Sequence, residues 1–392
     1  MTLPFSYSLR NLLARPVRNA MSAGVIALVV VACSLFLGLI SSLRHTLVSS
    51  ADPLNLVVLR KGSGNDGSSQ LSLAAYHSFR YFDDIARSPS GRPLVSPELI
   101  VQPFVRTAQG GRDNVLVRGV EAVALEVHSG VRIAQGRMFI PSHGEAVVGR
   151  KLLGRYRGAR LGNEVEFGRR RWRVVGILEA GDSSFESEIW VDARELADDA
   201  KRIFPYSGAR IRAAGAAAMQ RLRKHIDEDP FYALEALPET EYYAKQAESA
   251  GSLYVLVACV ALLAGTGASF GAANTMYASV QARVAEIGTL RALGFSRRSI
   301  LLAFQLEAAL LALGGFLLGT VLALVSQQII AAVLGRIAFS AATFSTNMVA
   351  LRVGPLELAA SLLLTVVIGV IGGFGPAWRA ARLRPIEALR KA

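Results

Sequence analysis

Residues 20–43 read AMSAGVIALVVVACSLFLGLISSL, twenty-four positions without a charge. A helix rises about 1.5 Å per residue, so about 20 apolar residues cross the ~30 Å hydrocarbon core of a bilayer. Three further uncharged runs of sufficient length follow, at 249–282, 308–335 and 358–378. Inside lipid a backbone must satisfy its own hydrogen bonds, and a helix does so without partner strands. The four runs therefore read as spanning helices.

The charge pattern orients them. The chain of 392 residues is 52% hydrophobic and carries a net charge of +13. The stretch before the first run holds Arg10, Arg15 and Arg18 and no acid. The segment after the second holds Arg283, Arg291, Arg297 and Arg298 against Glu286, and the tail holds Arg379, Arg382, Arg384, Arg390 and Lys391 against Glu387. The positive-inside rule places these three segments in the cytoplasm. Residues 44–250 then lie outside, with 29 basic and 26 acidic side chains. That segment is nearly neutral, so the basic balance reports topology rather than nucleic-acid binding.

The resulting layout is a cytoplasmic amphipathic segment (1–19), transmembrane helix 1 (20–43), an extracytoplasmic domain (44–250) and transmembrane helix 2 (251–277). A cytoplasmic loop (278–298), transmembrane helix 3 (299–333), an extracytoplasmic loop (334–355), transmembrane helix 4 (356–378) and a cytoplasmic tail (379–392) complete it. Within the first segment, residues 10–15 form a basic amphipathic stretch for the membrane surface, broken by Pro16. Cys33 ends a lipobox-like Val30-Val31-Ala32-Cys33, but Ser34 to Ile40 stay apolar where a cleaved signal would turn polar. Cys33 and Cys259 both fall in apolar runs, so no disulfide framework is expected.

The outer domain reads as α+β. Strands are expected at 54–60, 145–148, 164–167, 172–178 and 188–191, and a hairpin from 101–107 to 115–120 across the turn-rich 109–114. Helices are expected at 73–86 and 215–229, the second stopped by Pro230. From Glu239 the helical pattern runs into helix 2, which predicts a continuous stalk. The β region from 145 onward reads as antiparallel. In the membrane helices, Gly267/Gly271, Gly315/Gly319 and Gly369/Gly373 repeat at spacing four, which lets backbones approach closely.

Apparent catalytic motifs dissolve on inspection. Gly62-Ser63-Gly64-Asn65-Asp66-Gly67 fits G-x-G-x-x-G, but Ser68 and Ser69 separate it from the next helix, and a flexible loop is the better reading. Gly267 to Gly271 fits G-x-S-x-G inside an apolar helix with no histidine nearby. The five histidines show no metal-ligand spacing, so neither catalytic nor metal-binding residues are assigned. No G-x-x-x-x-G-K-[ST] phosphate loop is present. Nine basic residues and two acids lie between Arg150 and Arg173. They could form an anion or partner patch, but the alternation of Arg169, Arg171 and Arg173 with Arg170, Trp172 and Val174 favours the wet face of a strand. Glu307 lies near the cytoplasmic end of its helix, where a packing or snorkelling role is expected.

The stretch from Arg283-Val284-Ala285-Glu286-Ile287-Gly288-Thr289-Leu290-Arg291-Ala292-Leu293-Gly294 to Arg298 resembles the cytoplasmic signature of MacB/LolC/LolE/FtsX-type ABC transporter permeases. The tail from Pro376 to Leu389, with Arg382, Pro385 and Glu387, is similar to that family's C-terminal motif. Residues 144–150 and 172–178 resemble its extracytoplasmic domain. The resemblance covers nearly the whole chain. It implies four transmembrane helices with a large α+β extracytoplasmic domain between helices 1 and 2. It also implies a non-enzymatic permease that binds no cofactor directly, with ATP and Mg on a separate ABC ATPase subunit. The further partners implied are a second permease copy or paralogue, membrane lipid and a periplasmic adaptor protein, with no nucleic acid. A coupling helix over about 285–293 would sit in a cleft of the ATPase. Ile287, Leu290 and Leu293 would form its apolar stripe, Arg283, Glu286 and Arg291 its polar contacts, and Gly294 its end. The expected function is mechanotransmission in the inner membrane, for export or for extraction of lipid or lipoprotein. The alternative is a non-transporting, FtsX-like relay that controls a cell-wall hydrolase. A membrane-anchored outer enzyme has no candidate site.

Overall fold

The computed structural model describes residues 16–249, 251–333, 337–339 and 347–383. In chain order the elements are α1 (Pro16–Val48), β1 (Asn55–Arg60), α2 (Leu73–Phe79), β2 (Val95–Val101), β3 (Phe104–Arg106), β4 (Arg112–Asn114) and β5 (Leu116–Val120). Next come α3 (Ala124–Val127), β6 (Arg132–Gly136), β7 (Glu145–Gly149), β8 (Glu164–Phe167), β9 (Arg170–Glu179), β10 (Glu188–Asp192) and α4 (Ala193–Asp199). The chain continues with β11 (Gly208–Arg212), α5 (Ala216–Asp227), β12 (Leu234–Pro238), α6 (Glu239–Ser249) and α7 (Gly251–Gln281). It closes with α8 (Val284–Ala292), α9 (Arg297–Val333), β13 (Ile337–Phe339), β14 (Asn347–Val349) and α10 (Pro355–Ala381). Two compact units result: Met1–Ser41, Ser252–Gly335 and Leu351–Ala392 form one, Ser42–Gly251 and Arg336–Ala350 the other.

The first unit holds four helices long and apolar enough to cross a membrane. α1 runs past the uncharged stretch because Arg44 and His45 are compatible with a helix. Small residues decide how close the helices come. A Cβ on Gly319 would lie 2.7 Å from the Val30 Cβ and 2.8 Å from the Ala27 carbonyl oxygen, so this glycine admits α1. Gly315 does the same against Ile26, and Gly369 and Gly373 face Ala312 and Ala308 of α9. The third pair differs from expectation: nothing lies within 4 Å of a Cβ at Gly267 or Gly271. Their spacing was right for packing, but this face of α7 has no neighbour among the described residues. The buried Ser34 and Ser361 hydroxyls add a hydrogen bond between α1 and α10 at 2.9 Å.

The second unit is built on a ten-stranded mixed sheet in the order β12-β1-β11-β2-β5-β10-β7-β9-β6, with β8 on β9. Two apolar cores share it. One joins Leu56, Val58 and Ile211 to Phe79 of α2 and Leu222 of α5; the other joins Val117, Val148, Trp172 and Ile189 to Leu196 of α4. The β13–β14 hairpin belongs to this unit: Met348 is buried in the second core, and its N–H donates to Ser187 Oγ at 3.1 Å.

Three expectations are corrected here. The helix expected over 73–86 stops at Phe79, because Ile85 is drawn into the core and bridges Ala213. The hairpin expected from 101–107 to 115–120 is split by Pro103, which cannot donate to a ladder. β2 pairs β5 through Leu99–Gly119, while β3 and β4 close a smaller hairpin of their own. The region after 145 is mixed rather than antiparallel, since β7 runs parallel to β9 and β10 parallel to β5. The amphipathic stretch 10–15 and Ala250, through which the stalk would run, lie outside the described residues.

Overpacking of this kind costs about 1–3 kcal/mol. Gly319→Val should therefore lower the apparent melting temperature of the detergent-solubilised protein, while Gly271→Ala leaves it unchanged. Equal midpoints for both variants would refute the close α1–α9 approach.

Candidate functional site

α8 is a single short helix between α7 and α9, and its two ends have clear causes. At its start, Arg283 donates from Nε to Glu286 Oε2 at 3.1 Å and from Nη1 to Glu307 Oε2 at 3.0 Å. The same guanidinium lies 5.1 Å from the ring centroid of Phe304. At its end, Phe295 N–H donates to the Leu290 carbonyl and Gly294 N–H to that of Arg291, the two bonds of a Schellman cap. Gly294 has φ +96°, a conformation that disfavours a side chain. Arg291 Nη1 donates to the Phe295 carbonyl at 2.9 Å and locks the turn.

The apolar stripe expected on α8 divides. Ile287 is only 1% exposed, in a cluster with Met276 and Val280 of α7, Phe304 and Ala308 of α9, and Ala377 and Ala380 of α10. It is committed to this chain's own helices and cannot be offered to a partner. The reason is angular: a step of three or four residues does not close on 360°, so the i, i+3, i+6 stripe drifts around the helix. Leu290 is half-buried, Leu293 is 67% exposed, and Glu286 is exposed two turns before it. The face open for contact is therefore Glu286, Leu290 and Leu293. Glu307 is a packing residue, held by Arg283 and by Ser279 Oγ at 3.4 Å. In the tail, the Arg382 guanidinium lies 4.4 Å from the Trp378 ring centroid, while Pro385 and Glu387 lie outside the described residues.

A second constellation, in the sheet unit, went unread in the sequence. Glu98 lies on β2 where that strand changes partner, from β11 on one side to β5 on the other. Its Oε2 accepts from Arg210 Nη1 of β11 and from Arg118 Nη1 of β5, both at 2.6 Å, and its Oε1 lies 2.7 Å from His128 Nε2. Arg118 also forks onto Glu188 of β10 at 2.6 and 2.7 Å. Arg210 reaches Asp66 at 2.8 Å and Glu239 Oε1 at 3.2 Å. Glu239 Oε2 in turn accepts from the Asp52 N–H and Asn55 Nδ2, both at 3.0 Å. The glycine-rich loop 62–67 thus serves to lower Asp66 onto Arg210. Glu98, Arg118, Arg210 and Glu239 are all 2% exposed or less.

The sequence carried a signal for this cluster: lone charges within apolar strands, as in Pro97-Glu98-Leu99 and Ala209-Arg210-Ile211. It could not say which charges meet. Among the described residues no group of three or more His, Cys, Asp or Glu side chains could hold a metal ion.

Burial alone would push the Glu98 carboxyl up, but the adjacent Arg210, Arg118 and His128 outweigh it and hold the group well below the usual carboxylate range. A carboxyl held low in the folded state contributes stability that is present above the unfolded value and lost as pH falls towards the folded one. The outer domain should therefore begin to lose this contribution below pH 4.5, the ordinary value for the group. Removing one partner of a buried pair costs about 3–5 kcal/mol. Glu98→Gln should show that loss at neutral pH in thermal unfolding, with a flatter acid limb; a wild-type melting curve would contradict the tie.

Residues 20–229 match the family model for the MacB-like periplasmic core domain, and residues 257–385 that for the FtsX-like permease C-terminal region. An uncharacterised ABC transporter permease of Methanocaldococcus jannaschii is 28% identical over 244 residues, covering 60% of this chain and 58% of that one. The macrolide export ATP-binding/permease protein MacB of Bordetella avium is 28% identical over 337 residues, covering 78% of this chain and 47% of the relative. The pyoverdine export ATP-binding/permease protein PvdT of Pseudomonas entomophila is 30% identical over 269 residues, covering 62% and 37%. The chain thus spans about half the length of these relatives or less.

Proposed function

We propose that this chain, which belongs to the MacB/FtsX-like family of ABC transporter permeases, receives ATP-driven movement at α8 and passes it to its extracytoplasmic domain for export. The observation that supports this most is the seating of Ile287. One side chain of α8 is buried among α7, α9 and α10, so displacing α8 displaces three helices or exposes the isoleucine. Full exposure of such a side chain costs about 1.5–3 kcal/mol, and the Arg283–Glu307 contact adds a second tether. The outer face of α8, Glu286 with Leu290 and Leu293, is left for the partner ATPase, where ATP and Mg would bind.

The second half of the path lies in the sheet unit. Asp52, which follows α1, and Glu239, which opens α6, meet through one buried carboxylate that also holds Arg210. Entry to and exit from this unit are therefore fastened to the same point of the sheet. Movement of Asp52 or Glu239 would reach β1 and β11 through this carboxylate. Such an arrangement suits mechanical transmission, with the termini and the α8 loop in the cytoplasm. The relatives MacB and PvdT, a macrolide and a pyoverdine export protein, favour export over a hydrolase-controlling relay. A second permease copy or paralogue and a periplasmic adaptor complete the assembly we envisage.

Glu286→Arg combined with Leu293→Asp should abolish copurification of an ABC ATPase with the tagged chain while lowering its thermal midpoint far less than a change at Ile287 does. Ile287→Asp should instead destabilise the permease itself. ATPase recovery undiminished in the double variant would sink the assignment of α8. Recovery of a cell-wall hydrolase in place of an adaptor would favour the relay.

A further inference from the structure

We infer that the outer domain carries a binding cleft for a phosphate-bearing anionic group, walled by Arg106, Arg112, Arg157 and Arg160. The run of basic residues after Arg150 favoured a solvated strand face, and β9 does behave so: Trp172 and Val174 point inward while Arg171 and Arg173 stay exposed. The loop before β8 does something else. Arg157 N–H donates to the Arg106 carbonyl at 2.9 Å, and Ala108 N–H donates to the Arg155 carbonyl at 2.7 Å. These bonds bring the β3–β4 hairpin against residues 155–157 and set arginines from both segments around one cavity of about 600 Å³.

The turn that carries Arg157 and Arg160 is held tightly. Gly158 has φ +81°, and a Cβ there would collide with the Glu164 carbonyl oxygen, so the turn is pinned to β8. Asp113, on β4, is engaged by Arg155 Nη2 at 2.8 Å and Tyr156 Oη at 3.2 Å. No carboxylate lines the cavity, and none of its four arginines is in an ion pair among the described residues. An adjoining cavity of about 800 Å³ shares Arg106 and Arg157 but is compensated, with Glu164 on its wall and Arg171 paired to Glu166 at 2.9 Å.

Arg106 and Arg157 also border the cavity that holds Glu164, but no carboxylate lines this one, and a bound anion would offset the positive charge of its wall. Guanidinium groups present N–H donors in a planar fork that matches phosphate oxygens two at a time. The volume lies in the range of small-molecule sites. The chemistry fits a soluble phosphate compound or a lipid headgroup equally.

The test is calorimetric titration of the full chain in detergent with pyrophosphate, beside flotation with phosphatidylcholine vesicles doped with phosphatidic acid. Arg106→Ala with Arg157→Ala should weaken binding of the favoured probe by about tenfold or more, at an unchanged thermal midpoint. Arg171→Ala should bind as the wild type does. Binding of pyrophosphate assigns a soluble ligand, and binding of the doped vesicles alone assigns a headgroup; either supports the site. No binding of either probe, equal binding by the double variant, or binding of polyglutamate alone, which would mark a protein surface, overturns it.

Discussion

The outer domain depends on one carboxylate. β2 changes partner along its length, and a strand that does so leaves the two halves of a sheet free to part unless something spans the change. Glu98 spans it, taking one arginine from each flanking strand. The apolar cores lie to either side, one over β1 and β11, the other over β5 and β10. Both draw on β2 and α4, with Val95 and Ala193 in the first and Leu99 and Leu196 in the second. Buried charges are a poor source of net stability, because desolvation consumes most of the attraction. Their worth here is geometric, since a guanidinium fork tolerates few orientations where a leucine would accept many.

That cluster also organises the chain's route. Asp66 arrives from the glycine-rich loop, Glu188 from β10, and Glu239 from the first turn of α6. Strand pairs, a loop and the start of a helix are gathered on two arginines. The membrane unit reaches a similar result by other means. Water is absent there, so close contact rests on small residues, with Gly315 and Gly319 against α1 and Gly369 and Gly373 against α9. At the end of this unit that carries α8, the Arg283–Glu307 pair and Ile287 bind the short helix to the long ones. The transmission role we propose would draw on both ties, at α8 and at Glu239.

Part of the candidate site was legible in advance because its signals are local. The short helix after α7 is what the resemblance to the permease family implied, and its end at Gly294 follows from the steric freedom of glycine. Which side of that helix faces inward was not legible. Ile287, Leu290 and Leu293 look alike as a pattern, and only the position of α9 and α10 makes the first a core residue and the last an exposed one. The basic residues between Arg150 and Arg173 divided in the same way. Those on β9 obey strand alternation, whereas Arg157 and Arg160 take their meaning from a hairpin some fifty residues earlier in the chain.

By itself the sequence determined what depends on local composition: four spanning helices, an α+β domain between the first two, and the asymmetry of basic residues. Length against bilayer thickness and strand alternation are properties of short windows, so no fold is needed to read them. The tertiary structure alone decided which charges meet. Glu98, Arg118 and Arg210 are isolated in the chain, and an ion pair is a relation between distant positions. The same holds for Gly267 and Gly319, which share one motif yet differ in having a neighbour. Contacts made across the fold leave no trace in the spacing of the residues that make them.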